Sequence, residues 1–110
     1  MNFFSKLLQG ITGASSQELP EDAILIDVRS AGEFASGYID GAISLPLDSI
    51  SQTISTAVPD KSAAIIVYCR SGARSASAKS LLTGMGYQQV LNGGGVSGLA
   101  LKLQRPVRRA

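Results

Sequence analysis

The chain has no histidine, no tryptophan and a single cysteine among its 110 residues. Without histidine there is no Ser-His-Asp or Cys-His catalytic arrangement and no imidazole metal ligand. One cysteine leaves no intramolecular disulfide framework and no cysteine-based zinc cluster. Aromatic residues make up only 5% of the chain, so aliphatic packing must supply the core. No stretch approaches the roughly 20 consecutive apolar residues of a membrane span. Charge is sparse too: 10 Lys and Arg against 8 Asp and Glu leave +2. Much of that excess sits in Lys102, Arg105, Arg108 and Arg109, read here as a solvated basic tail over 105–110 rather than a contact for nucleic acid or anionic lipid.

What is present fits one compact α/β domain. A hydrophobic content of 45% and a charged content of 16% are ordinary for a chain of this length with a single core. At the N-terminus Phe3, Phe4, Leu7, Leu8 and Ile11 recur at helical spacing, and Thr12 to Gln17 is small and polar. Residues 1–17 therefore read as an amphipathic helix and linker, packed on the domain or a partner. Lys6 interrupts the apolar stretch and no convincing cleavage site follows, so the segment is not read as a secretory signal and the protein is placed in the cytoplasm.

From residue 18 to 104 strands and helices alternate. Ala23-Ile24-Leu25-Ile26-Asp27-Val28 is a continuous apolar strand of the kind buried on both faces of a parallel sheet. Ser30, with Glu33 three residues on, predicts a capping box opening a short helix that Gly37 stops. Ala42–Leu45 predicts a second strand closed by Pro46, and Leu47 to Ala57 a helix. Ala63-Ala64-Ile65-Ile66-Val67-Tyr68 predicts a third strand, and Gln88–Leu91 a fourth. Asn92-Gly93-Gly94-Gly95 reads as a flexible turn before a last helix over Val96 to Leu103. The alternation implies a central parallel sheet of four to five strands with helices on both faces.

The one cysteine ends the third strand. Arg70-Ser71-Gly72-Ala73-Arg74-Ser75 follows as a short basic loop, and a helix is predicted from Ala76. Ligands of such sheets sit at the carboxyl ends of the strands. A thiol there faces the loop N–H groups and the positive end of the helix dipole, and two nearby guanidiniums also favour the thiolate, its reactive form. Cys69 is thus the candidate nucleophile. Arg74 is expected to face an anion bidentately, while Arg70 reads equally as a ligand-facing or a plain surface charge. Gly72 supplies a conformation no side chain allows. Ser71 and Ser75 are candidate donors to the anion at Cys69, Ser75 reading equally as the helix N-cap. Arg29 and Glu33, four apart, are expected to pair, and Asp27 with them reads as structure rather than acid–base catalysis.

These residues resemble the rhodanese (thiosulfate sulfurtransferase) homology domain in its single-domain form. The resemblance runs from about Ala23 to Leu99. It rests on Leu25-Ile26-Asp27-Val28-Arg29 with Glu33-Phe34, on Gly37-Tyr38-Ile39-Asp40-Gly41-Ala42-Ile43 leading to Pro46, and on the Cys69 loop with Gly86-Tyr87 and Gly93-Gly94 behind it. Tyr38 stands where the family commonly has His, and Leu99 where it often has Trp. The resemblance implies that a sulfane sulfur passes from a donor such as thiosulfate to Cys69 and then, from the persulfide, to a thiol or cyanide acceptor. A sulfur-relay protein is a further candidate partner, and no cofactor is implied.

Loop length separates this reading from its rivals. Cysteine phosphatases use Cys-x5-Arg around a tetrahedral phosphate, whereas Cys69 to Arg74 is Cys-x4-Arg, a smaller cradle suited to the outer sulfur of a persulfide. That disfavours phosphatase or arsenate reductase chemistry. A non-catalytic binding module is the other alternative, and it has no need of a thiol at this place.

Overall fold

A computed structural model gives the structure of the protein over residues 19–110. The helix and linker read over 1–17 lie outside the described residues. In chain order the elements are β1 (Ile24–Asp27), α1 (Ala31–Ser36), β2 (Tyr38–Ile39), β3 (Ile43–Ser44), α2 (Ile50–Ala57), β4 (Ala64–Cys69), α3 (Ala73–Gly84), β5 (Gln89–Gly95), α4 (Val96–Leu103) and β6 (Val107–Arg108).

Strand β4 explains the architecture. Successive side chains of a strand point to opposite faces, so an all-apolar strand needs cover on both. Ile65, Val67 and Cys69 enter one core cluster, with Ile50 and Ile54 of α2 and Ala78 and Leu82 of α3. Ile66 and Tyr68 enter a second, with Ile39 of β2 and Leu99 and Ala100 of α4. Each such aliphatic side chain taken out of water contributes about 1.5–3 kcal/mol. The main sheet is parallel throughout, in the order β3-β1-β4-β5, with β1 and β4 in register from Ile24–Ile65 to Asp27–Tyr68. The α/β fold, the four strands and the helices on both faces are those the alternation predicts. The capping box is present as well: Glu33 N–H donates to Ser30 Oγ at 3.2 Å and Ser30 N–H to Glu33 Oε1 at 3.1 Å.

Four local expectations are corrected. Helix α2 starts at Ile50, not Leu47, because Leu47 N–H is tied to the Val28 carbonyl at 3.0 Å and the chain runs along β1 before it coils. Helix α3 starts at Ala73, not Ala76, because Gly72, at φ 101°, turns the chain sharply enough for coiling to begin at once. Strand β5 runs on to Gly95 through the expected turn. Lastly, the basic tail, exposed as expected over 106–110, is also paired to the domain. Val107 and Arg108 form an antiparallel pair with Ile39 and Tyr38, Arg108 Nε donates to Asp40 Oδ1 at 2.7 Å, and Arg105 reaches the Asp40 carbonyl. Two-residue strands separated by so much sequence carry no periodic signal.

The two departures from the family pattern are packed. Tyr38 stacks on Phe34 with ring centroids 4.3 Å apart. Leu99 fills the space beside Gly93, where an added Cβ would stand 2.7 Å from its Cδ2.

Candidate active site

Parallel strands β1 and β4 end side by side, and the chain leaves β4 at Cys69 with its side chain on the α2/α3 face. Cys69 is 1% exposed. Only Arg70, Ser71 and Gly72 separate the strand from α3. Gly72 in the left-handed region turns its N–H back onto the sulfur, a bond of 2.9 Å. Ala73, Arg74 and Ser75, read as loop, are the first residues of the helix. Gly72 is therefore the N-cap, and it leaves the first-turn N–H groups without a side-chain cap. Ser75 is not the N-cap. Its Oγ lies 3.4 Å from Cys69 Sγ, inside the first turn.

Burial disfavours the thiolate, but the Ser75 hydroxyl and the backbone N–H groups of Ser75, Ser71 and Gly72 outweigh it. Together they bring the thiol down from 9.0 to about 7. Activation thus comes first from hydrogen bonds at the helix start, and of the two guanidiniums expected to help, Arg74 is electrostatically coupled to the sulfur. Arg70 is exposed, and its carbonyl faces Gly95. Arg74 gives its bidentate contact to Glu33, at 2.8 and 3.0 Å. That carboxylate is pulled down to about 2, first by Arg74 and then by the Ser30 N–H.

The expected Arg29–Glu33 pair is accordingly corrected. Arg29 turns the other way and donates from Nε and Nη2 to the fully buried Asp27, with Nη2 also reaching the Gly37 carbonyl. The hydrogen bond to Asp27 holds the guanidinium above its usual range despite burial. Asp27 lies opposite Tyr68 in the sheet, away from Cys69, and Tyr68 Oη accepts the Ile39 N–H at 3.1 Å. The Asp27–Arg29 cluster fixes the turn into α1 and β2.

Sequence reasoning missed Asn92. It is the last β5 residue in register with Val67, and Gly95 is next in register, with Cys69. Two steps on β4 thus match three on β5. This is a β-bulge, the device that re-aims side chains beside active sites. Within it Asn92 Oδ1 accepts the Gly94 N–H at 2.9 Å and the Ser75 hydroxyl at 2.6 Å, while Nδ2 donates to the Gly72 carbonyl at 3.1 Å. The signal was available: Asn before Gly-Gly is an Asx-turn pattern, here at a strand end beside the cysteine strand. The glycines allow the close approach. A Cβ on Gly95 would collide with the Arg70 carbonyl oxygen, and one on Gly72 would lie 3.6 Å from Gly94 Cα.

A cleft of about 100 Å³ lined by Val28, Ser30, Pro46, Leu47, Asp48 and Arg74 opens between the ends of β1 and α3. A larger groove, about 410 Å³, lies between α4 and β6 and contains none of the loop residues. Among the described residues no helix is long and apolar enough to cross a membrane.

The family model of the rhodanese-like domain matches residues 12–100. Thiosulfate sulfurtransferase PspE of Escherichia coli is 42% identical over 76 residues, which are 69% of this chain and 73% of that protein. A sulfurtransferase of Allochromatium vinosum is 42% identical over 72 residues, 66% of this chain and 65% of that one. A solved rhodanese with anions from E. coli superposes with a TM-score of 0.73 at 38% identity, covering 80% of this chain and 99% of its own. The chain belongs to the rhodanese-like domain family.

Proposed function

We propose that the protein is a rhodanese-type sulfurtransferase that carries a sulfane sulfur on Cys69. The observation that carries this reading is the buried thiol with the Gly72 N–H at 2.9 Å and the Ser75 hydroxyl at 3.4 Å. Donors so placed stabilise a sulfur anion while leaving it nucleophilic, because a thiolate held at about 7 is populated at neutral pH yet keeps its basicity. The relatives named as thiosulfate sulfurtransferases support the same reaction class.

The Cys69 thiolate attacks the outer sulfur of thiosulfate. The new S–S bond forms as the old one breaks, and sulfite leaves with the electron pair. The resulting persulfide anion takes over the hydrogen bonds of the thiolate. A thiol or cyanide then attacks the outer sulfur and Cys69 departs as the thiolate. The loop donors Ser71, Gly72 and Ser75 serve the anion at each stage. Ala73 keeps the first turn free of bulk, and Arg70 and Arg74 supply the positive rim that draws an anionic donor.

Mass spectrometry of the intact protein after thiosulfate exposure tests this. The expected result is one added sulfur on Cys69, released as thiocyanate by cyanide. A protein that gains no sulfur, or gains it in a Cys69→Ser variant, would overturn the reading.

A further inference from the structure

Ser75 Oγ has one hydrogen and three acceptors in reach: Asn92 Oδ1 at 2.6 Å, the Gly72 carbonyl at 3.1 Å and Cys69 Sγ at 3.4 Å. Which of them receives the hydrogen decides whether the sulfur has a side-chain donor. Asn92 controls both competitors. Its amide can be oriented in one way only, since Gly94 N–H must meet the oxygen and the Gly72 carbonyl must meet the nitrogen. The Gly72 carbonyl has two lone pairs, and Ala76 N–H at 3.0 Å and Asn92 Nδ2 at 3.1 Å occupy them. Ser75 Oγ meets that carbonyl only as a third donor, at 3.1 Å, so the two strong positions for its hydrogen are Asn92 and the sulfur.

We propose that Asn92 is the positioning residue of this site, acting through Ser75: it holds the hydroxyl while Cys69 is a thiol and releases it to the sulfur when the sulfur is an anion. In the first position the thiol S–H donates to Ser75 Oγ, and Ser75 donates to Asn92. In the second, Ser75 donates to the thiolate or persulfide, and Asn92 Oδ1 is still satisfied by Gly94 N–H. Neither position leaves a buried polar atom without a partner, so the exchange costs little. The reading deepens the proposed sulfur transfer and rests on it, because a persulfide is the second anion the hydroxyl must serve.

Without Asn92 the Gly72 carbonyl regains a free lone pair and captures the hydroxyl, and the sulfur loses its donor. The charged groups at this end of the sheet are Arg70 of the loop, Arg74 of α3 with its partner Glu33 of α1, Asp48 beside Arg74 in the cleft, and, on the opposite face, the Asp27–Arg29 pair. Substituting Asn92 or Ser75 by alanine changes none of these charges.

The experiment is a double-mutant cycle on the full chain, read as the pH dependence of Cys69 alkylation by iodoacetamide. Asn92→Ala is expected to move the inflection upward by at least about half a unit, as loss of one donor to an anion does. Ser75→Ala moves it upward as well, and the double variant no further than Ser75→Ala alone. A folded Asn92→Ala protein with an unmoved inflection, or additive shifts, would overturn the proposal, because a merely structural role lowers the melting temperature and leaves the inflection in place. If Asn92→Ala does not fold, the native protein decides: the Asn92 side-chain amide resonances must titrate together with Cys69, and flat resonances sink the idea. Alkylation needs no sulfur donor, so failure here and failure of sulfur loading on Cys69 are separate results.

Discussion

Arg74 and Glu33, 41 residues apart, are joined by two hydrogen bonds across the gap between α3 and α1, and the same carboxylate completes the Ser30 capping box. One side chain therefore ties the helix after the cysteine loop to the helix after the neighbouring strand. Arg74 is held by a carboxylate that any anion drawn to this guanidinium would have to displace.

This makes the affinity for an anionic donor sensitive to Glu33 in the direction opposite to its sensitivity to Arg74. Arg74→Ala should raise KM for thiosulfate by roughly 10-fold or more, the scale of a lost charge-assisted contact of about 1.5–3 kcal/mol, and more than Arg70→Ala does. Glu33→Gln should lower KM by freeing the guanidinium. Steady-state kinetics on the three variants decide it; an increase on Glu33→Gln would mean that Glu33 presents Arg74 rather than withholding it.

The same carboxylate gives an acid limb to stability. Its folded value, about 2, lies below the ordinary 4.5, so its contribution is complete above about 4.5 and fades as pH falls toward 2. With the pair 39% and 31% exposed, solvent screening keeps the effect to about 1 kcal/mol or less. Urea midpoints of the native and Glu33→Gln proteins should converge as pH drops through that window.

Cys69 gives a limb at the other end. Alkylation should rise with pH and level off above an inflection near 7, and Cys69→Ser should abolish thiocyanate formation while retaining the circular dichroism of the native fold. Because folding lowers the thiol from 9.0, the native state also gains stability as pH climbs from about 7 to 9, a gain that Cys69→Ala lacks. Denaturant midpoints across that range provide the check.

Glycine substitutions should divide by what surrounds them. Gly98, within α4, has nothing within 4 Å of an added Cβ, so Gly98→Ala should stabilise by about 0.5–1 kcal/mol. Gly93→Ala would press on Leu99 and Ile66, at 2.7 and 2.9 Å, and should destabilise by about 1–3 kcal/mol. Gly95→Ala pushes on the Arg70 carbonyl, so its main effect should be lost sulfurtransfer. Equal stability changes at Gly93 and Gly98 would contradict the packing.

The sheet and the place of Cys69 at a strand end were legible in the sequence because both rest on local signals. The apolar runs at Ile24 and Ile65 have only one use in a chain this short, and Cys69 closes the second of them. The Ser30–Glu33 box was legible too, being complete within four residues. Partners chosen across the sheet were not. Arg29 and Glu33 satisfied a helical spacing rule, but the buried carboxylate of Asp27 won the first guanidinium, leaving Glu33 to Arg74. The β2–β6 ribbon and the Asn92 contacts likewise join segments far apart in sequence.

The bulge in β5 bears on how such loops diversify. Gly94 and Gly95 abut the backbone of Gly72 and Arg70, and the Gly72 carbonyl already accepts two donors. An extra residue between Gly72 and Ala73 would shift the Gly72 carbonyl and so disturb Asn92 and Ser75 together. Lengthening the cradle to the phosphatase size therefore requires a matching change three strands' length of sequence away, in the glycine run. On this geometry the two cradle sizes differ by a coordinated pair of changes rather than by the insertion alone.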